Sequence, residues 1–277
     1  MMAPIENAMP DLERNLTFYE VNNPSPQKLT AEQIARFNAD GYIFPLDLYA
    51  ADEIAERRAY FERLMAEAEA KGWNSYSING WQARCPGIYD MALEPRILDY
   101  VQDLLGENLV CWATHYFAKM PGDGKQVSWH QDASYWPLTP SKTVTVWLAI
   151  DDADKENGAM QFIPGSHRHG QIGFEWSKAE ENNVLNQSVH DAGQYGRAPV
   201  SVEMKAGQIS LHSDLLLHGS EPNHSPRRRC GLTLRFAPPE VRPLRSWGRQ
   251  SILARGEDAH GHWSFCPRPE RDDIPSR

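Results

Sequence analysis

Two stretches of the chain set a histidine and an aspartate two residues apart, His130-Gln131-Asp132 and His212-Ser213-Asp214. On an extended strand residues i and i+2 face the same side, so either pair would project an imidazole and a carboxylate together. That is two thirds of a 2-His-1-carboxylate facial triad, a donor set that binds Fe(II) and leaves positions open. The spacing alone is weak evidence. Among ten histidines, about one chance His-x-Asp is expected, and most histidines in folded proteins are hydrogen-bonded structural residues.

Context separates the two copies. His218 follows the apolar run 215–217 and precedes Gly219-Ser220, and Arg229 stands eleven residues further on. The run is expected to end a strand, with Gly219-Ser220 starting a turn. A hairpin of that length would return Arg229 beside His218. A guanidinium near an open metal site suits a dicarboxylate, which it grips by two parallel hydrogen bonds. Residues 208–217 read as strand. The four-residue step from Asp214 to His218 suits a helix instead, which disfavours the second copy as the metal pair.

The elements that must position these groups are legible in outline. Residues 1–28 carry four prolines and read as an irregular arm. Thr30-Ala-Glu-Gln33 is a capping box that starts a helix expected to stop at Gly41. A second helix is predicted over 52–71, with Ile54, Phe61, Leu64, Met65 and Ala68 as its apolar stripe. A third starts near Pro95 and ends at Gly106. Beyond Gly106 the pattern becomes short, β-branched and aromatic. Strands are predicted over 109–119, 143–150, 159–163, 200–204, 208–212 and 229–237, with Asn157-Gly158 as a tight turn. Residues 170–199 read as a lid-like insertion over the barrel mouth, and 240–277 as an irregular C-terminal tail. Together they predict an α+β, mainly β, single domain with an antiparallel core: helical flank 29–106, core 107–239.

Composition excludes several functions. A formal charge of −9 argues against a nucleic-acid binder. Cys85, Cys111, Cys230 and Cys266 form no C-x-x-C pair, as expected of a cytoplasmic chain without a disulfide framework. No basic n-region with an apolar run opens the chain, and no stretch nears the ~18 apolar residues of a membrane span. The expected partner is a small-molecule substrate, and the chain a monomer or homodimer.

The ordered pieces resemble the phytanoyl-CoA dioxygenase family of Fe(II)/2-oxoglutarate-dependent oxygenases. They are His-Gln-Asp-x-x-Tyr at 130–135, Asn157-Gly158 with Ile163-Pro-Gly-Ser-His167, and His218-Gly219-Ser220 with Asn223 and Arg229. The likeness runs from about Leu29 to Pro239. It implies a double-stranded β-helix, or jelly roll, with flanking N-terminal helices. It implies His130, Asp132 and His218 as iron ligands and Fe(II), 2-oxoglutarate and O₂ as the reacting set. Arg229 would hold the distal carboxylate of 2-oxoglutarate with help from Ser220, and Trp147 and His115 fall at further cosubstrate positions. Related halogenases lack the carboxylate that Asp132 supplies, so a hydroxylase is expected, releasing succinate and CO₂. Alternatives are a natural-product or acyl-CoA-type substrate, or a cupin-like metal enzyme that does not use 2-oxoglutarate.

Tyr135 and Trp136 follow the metal motif and are expected to line the substrate pocket. Aromatic walls attract cations, which suggests a small polar or cationic metabolite, and the family resemblance implies hydroxylation of an aminophosphonate or a similar zwitterion. The remaining histidines, His212 included, are expected to be structural or solvated. The exposed-looking arginines at 227–228, 242, 245 and 249 read as solvated charge.

Overall fold

The computed structural model describes residues 4–277. Among the described residues, four α-helices precede the main β-structure: α1 (Ala31–Asp40), α2 (Ala51–Ala70), α3 (Pro86–Ala92) and α4 (Pro95–Leu105). Thr30 and Gln33 form the expected capping box, and Gly41 closes α1 with φ +87°, a conformation that costs glycine little. The short α3 was not predicted.

The strands of the described residues follow one another as β1 (Tyr42–Asp47), β2 (Leu109–Lys119), β3 (Val127–His130), β4 (Leu138–Thr139), β5 (Val144–Ala149), β6 (Met160–Phe162) and β7 (Glu175–Trp176), then β8 (Gln187–Ser188), β9 (Val200–Ser201), β10 (Gln208–Ser213), β11 (His218–Ser220), β12 (Arg229–Ala237), β13 (Arg242–Pro243) and β14 (Ile252–Arg255). A major sheet has the order β1-β10-β5-β12-β2-β14, and a minor sheet has the order β3-β11-β6-β9. Neighbours in both sheets pair antiparallel. The result is the jelly roll that the family resemblance implies, with both sheets facing a shared cavity.

Strand β12 shows how the sheet divides the molecule. Its alternate residues Cys230, Leu232, Leu234 and Phe236 are buried in one apolar cluster with Phe61 and Leu64 of α2 and Ile97 and Val101 of α4. Residues of the other parity, Arg229, Thr233 and Arg235, line the cavity. This is the period-2 pattern of a strand with two different faces. Gly231 lies in the inward series because a Cβ there would meet the Trp147 ring.

Three expectations are corrected. Residues 208–217 are not one strand: β10 stops at Ser213, and His218 to Ser220 form β11 instead of a strand end and turn. Nor do His218 and Arg229 belong to one hairpin, because β11 lies in the minor sheet and β12 in the major sheet. The tail is not wholly irregular. β14 extends the major sheet beside β2, and β13 pairs with β4, since exposed strand edges are favourable places for added chain to pair. No helix among the described residues is long and apolar enough to cross a membrane.

Candidate metal and cosubstrate site

His130, Asp132 and His218 form the one cluster among the described residues whose ligand atoms can converge on a metal, all within 4.8 Å of one another. The route differs from the expected one. Strand β3 ends at His130, Gln131 is still extended (φ −111°, ψ 132°), and Asp132 opens a 3₁₀ turn. Asp132 thus comes round beneath His130, with its Oδ1 at 3.8 Å from His130 Nε2 and 4.0 Å from His218 Nε2. His218 arrives by cross-strand pairing, since it is registered against His130 in the minor sheet. Gln131 points the opposite way. Its amide donates to the Gly170 and Leu215 carbonyls and accepts from Ile172 N–H. The arm also contributes: Arg14 donates to the Ala133 and Trp136 carbonyls and so holds the turn after Asp132.

The donor chemistry fits a cation. His130 Nδ1 donates to Ser128 O at 2.8 Å, and His218 Nδ1 donates to Leu216 O at 2.9 Å. Both Nε2 lone pairs are therefore free to face the carboxylate, the usual way a protein orients ligating imidazoles. Burial would raise the Asp132 carboxyl, but His130, His218 and Arg235 together hold it below the usual carboxylate range. Burial, reinforced by His130, pushes the His218 imidazole well down. A carboxylate facing two imidazoles whose Nδ1 atoms are already committed to backbone carbonyls is a donor set that can bind a divalent ion.

The cluster lies in a cavity of about 270 Å³ lined also by His115, Tyr135, Trp136, Trp147, Ser220, Arg229 and Arg235. All the predicted site residues therefore meet in one space. Arg229 is 3% exposed. It donates to Gly158 O and Ser220 Oγ and lies 5.7 Å over the Trp147 ring. It forms no ion pair among the described residues. Burial, with Arg235 adding to it, lowers the His115 imidazole to about 3, and its Nε2 bonds the Tyr76 carbonyl. Burial also raises the Tyr135 phenol, which accepts from Gln187 N–H.

Three cavity features were not expected. His212 is not a bystander: its ring lies 5.0 Å from that of His218, and neither ring nitrogen has a partner. Asp214 departs from it, accepting from Ser141 Oγ at 2.8 Å. Arg235 was missed although its signal was present, since it shares the parity of Arg229 along β12. Trp112 was missed for a physical reason. Arg235 pairs with Ala113 and Phe236 with Cys111, so Trp112 is the extra residue of a β-bulge. A bulge re-aims a side chain, and Trp112 turns inward onto Trp136 and Trp247.

Apart from His212, the arginines and histidines read as solvated or structural do not line the cavity, and the 170–199 excursion adds one residue to it. Of the 170–199 excursion, Leu185 lines the cavity, while Asn183 and Gln187 are engaged in hydrogen bonds within the fold. Arg227 and Arg245 are ion-paired on the surface, and the half-buried Arg228 pairs with Asp151. His167 is buried and bonds Asn38 O, and His260 and His262 stack on each other in the exposed tail.

Comparison with known proteins agrees with this geometry. The family model described as phytanoyl-CoA dioxygenase matches residues 37–231. A probable alpha-ketoglutarate-dependent hypophosphite dioxygenase of Stutzerimonas stutzeri is 31% identical over 176 residues, 61% of this chain and 60% of that protein. A phytanoyl-CoA dioxygenase domain-containing protein 1 homolog of Dictyostelium discoideum is 26% identical over 76% of this chain and 91% of its own length. Among solved structures, the nickel complex of the non-heme monooxygenase ThoJ superposes with TM-score 0.71 at 28% identity, covering 86% of this chain and 89% of that one. EctD from S. alaskensis with 2-oxoglutarate and 5-hydroxyectoine shares the fold, with TM-score 0.70 at 22% identity over 94% of each chain. The chain therefore belongs to the phytanoyl-CoA dioxygenase family of Fe(II)- and 2-oxoglutarate-dependent oxygenases.

Proposed function

We propose that this protein hydroxylates a C–H bond of a small polar or zwitterionic metabolite, an aminophosphonate being the favoured type, while 2-oxoglutarate is converted to succinate and CO₂. His130 Nε2, Asp132 Oδ1 and His218 Nε2 would hold Fe(II), and Arg229 with Ser220 would hold the distal carboxylate of 2-oxoglutarate. Trp147 and His115 would wall the cosubstrate, and Tyr135 and Trp136 would wall the substrate. Bound Fe(II) would supply O₂ activation, chemistry that no side chain here can perform.

The observation that carries this reading is the pairing of a converged His-Asp-His set with a buried guanidinium that has no carboxylate of its own. Isolated buried charges are costly, several kcal/mol each, so Arg229 is suited to accept an anion from outside. The protein's share of the reaction is then positional. Ser128 O and Leu216 O fix the two imidazoles, Gln131 and Arg14 brace the Asp132 turn, and the aromatic wall excludes water from the reacting centre. The small substrate follows from size: about 270 Å³ is just below the ~300–1,000 Å³ of ligand sites, and cosubstrate must share it. A long acyl chain would have to lie outside. The relative named as a hypophosphite dioxygenase favours a phosphorus oxyanion over an acyl thioester.

Anaerobic addition of 2-oxoglutarate to the Fe(II) protein should give a weak visible charge-transfer band, and aeration should yield succinate. A screen of aminophosphonates, betaines and amino acids should then find a compound that accelerates succinate release. Absence of both band and succinate sinks the proposal.

A further inference from the structure

We infer that Arg235 anchors an anionic group of the substrate, a phosphonate or carboxylate, at the opposite end of the cavity from Arg229; this rests on the dioxygenase reading above. Arg235 is 9% exposed. Its side chain forms no hydrogen bond and no ion pair among the described residues, and its Nε is buried without a partner. Its guanidinium lies 4.9 Å over Trp136 and 5.9 Å over Trp112. Such contacts contribute about 0.5–2 kcal/mol, less than the several kcal/mol that an unpaired buried charge costs. The aromatic box orients the group and leaves its donors unsatisfied.

The neighbours of Arg235 have the same deficit. In the major sheet Arg235 is registered against Thr145, and Thr145 against His212. These three cavity-lining residues form one row across β12, β5 and β10. Thr145 Oγ1 and both ring nitrogens of His212 lack partners, as Arg235 Nε does. Buried polar groups are normally satisfied. Three orphans in one row, all lining the same cavity, mark a place built for a polar ligand. The aromatic wall that a substrate cation would have used is already taken by Arg235, so the charge sought from the substrate is negative.

Charge balance gives the same sign. An Fe(II) ion, a 2-oxoglutarate dianion, Asp132 and Arg229 together cancel. Of the other groups lining the cavity, burial pushes the His115 imidazole down to about 3. Arg235 is then the unmatched cation. Arg229 and Arg235 are six residues apart on β12, about 20 Å along an extended strand, so one small dianion cannot serve both.

The test is calorimetric titration of the Fe(II) protein, with and without 2-oxoglutarate, using three probes. They are 2-aminoethylphosphonate, its carboxylate counterpart β-alanine, and choline, which has no anion. At least one of the two anions should bind and choline should not, and the tighter anion identifies the headgroup. Arg235→Gln should weaken that anion about 10–100-fold, as expected for lost charge-assisted hydrogen bonds. Arg235→Lys should recover part of the loss, and Thr145→Val should cost less than Arg235→Gln. In the arginine variants the affinity for 2-oxoglutarate should change less than about threefold, an effect below 1 kcal/mol. The inference is overturned if choline binds and neither anion does up to about 10 mM, a ΔG° near −3 kcal/mol. It is equally overturned if Arg235→Gln binds the anion as wild type does, or if 2-oxoglutarate weakens by the same factor. The probe comparison on wild type needs no variant to fold. A charge-transfer band with Arg235-independent anion binding removes the anchor and leaves the dioxygenase. Arg235-dependent binding with no band does the reverse.

Discussion

At His130-Gln131-Asp132 the strand stops at the histidine, whereas at His212-Ser213-Asp214 it continues to Ser213. That one-residue difference decides where each carboxylate goes. The 3₁₀ turn after Gln131 swings Asp132 back towards the two imidazoles. Asp214 instead turns outward from the end of β10 to Ser141. The segments even touch, Ala133 N–H donating to Asp214 O, and both histidines face the same cavity. Their carboxyls end in opposite states. Asp132 is held below the usual carboxylate range by three basic neighbours, while burial pushes Asp214 up to about 7. A shared spacing therefore carries no chemistry until the backbone geometry at the third residue is known.

The contrast can be broken first at the metal. His130→Ala, Asp132→Ala and His218→Ala should each abolish stoichiometric Fe(II) binding and reduce succinate release to background. His212→Ala should retain Fe(II) affinity, measured by anaerobic titration, within about threefold. Loss of iron from His212→Ala would mean that the other His-x-Asp is the ligand pair. Next in size, Arg229→Ala should raise the KM for 2-oxoglutarate about 10–100-fold, the worth of hydrogen bonds to a charged group. Unchanged KM would point instead to an enzyme indifferent to 2-oxoglutarate.

A smaller effect sharpens the difference between the aspartates. Burial pushes the Asp214 carboxyl up to about 7 from its ordinary 3.8, so between those values the unfolded chain binds fewer protons. Wild-type stability should therefore fall as pH rises from about 4 to about 7 through this group. Asp214→Asn keeps an acceptor for Ser141 and removes the charge. It should flatten that slope and gain roughly 1–3 kcal/mol at pH 8, read by urea unfolding at pH 5 and pH 8. An unchanged slope would show that Asp214 is ionised without penalty. Least of all, His260→Ala and His262→Ala should change Fe(II) affinity and turnover less than about twofold, well under 1 kcal/mol, since the stacked pair sits in the exposed tail.

Much of the fold was legible because local signals and tertiary packing agree. The Thr30 capping box, the Pro95 start, and the alternation over 109–119 and 229–237 all appear as elements close to their expected bounds. The elements that escaped are short or depend on partners. β3 and β11 span four and three residues, too few for a periodic signal. β14 is a strand because β2 offers it an edge. Among site residues, Arg235 was legible and overlooked, since strand parity already groups it with Arg229. Trp112 was not legible, because parity places it on the helix side and only the bulge turns it inward.

The sequence by itself determined the donor set: which residue types could hold a cation, their order along the chain, and the alternation that puts Arg229 and Arg235 on one face of one strand. Those properties follow from covalent order and the two-residue period of a strand. Tertiary structure alone decided which aspartate joins the histidines, that His212 shares their cavity, and that the aromatic faces are occupied by the protein's own Arg235. These outcomes depend on where a strand ends, where a bulge adds a residue, and which strands of separate sheets face each other. Such choices are made by packing across more than eighty residues of chain, and no local pattern records them.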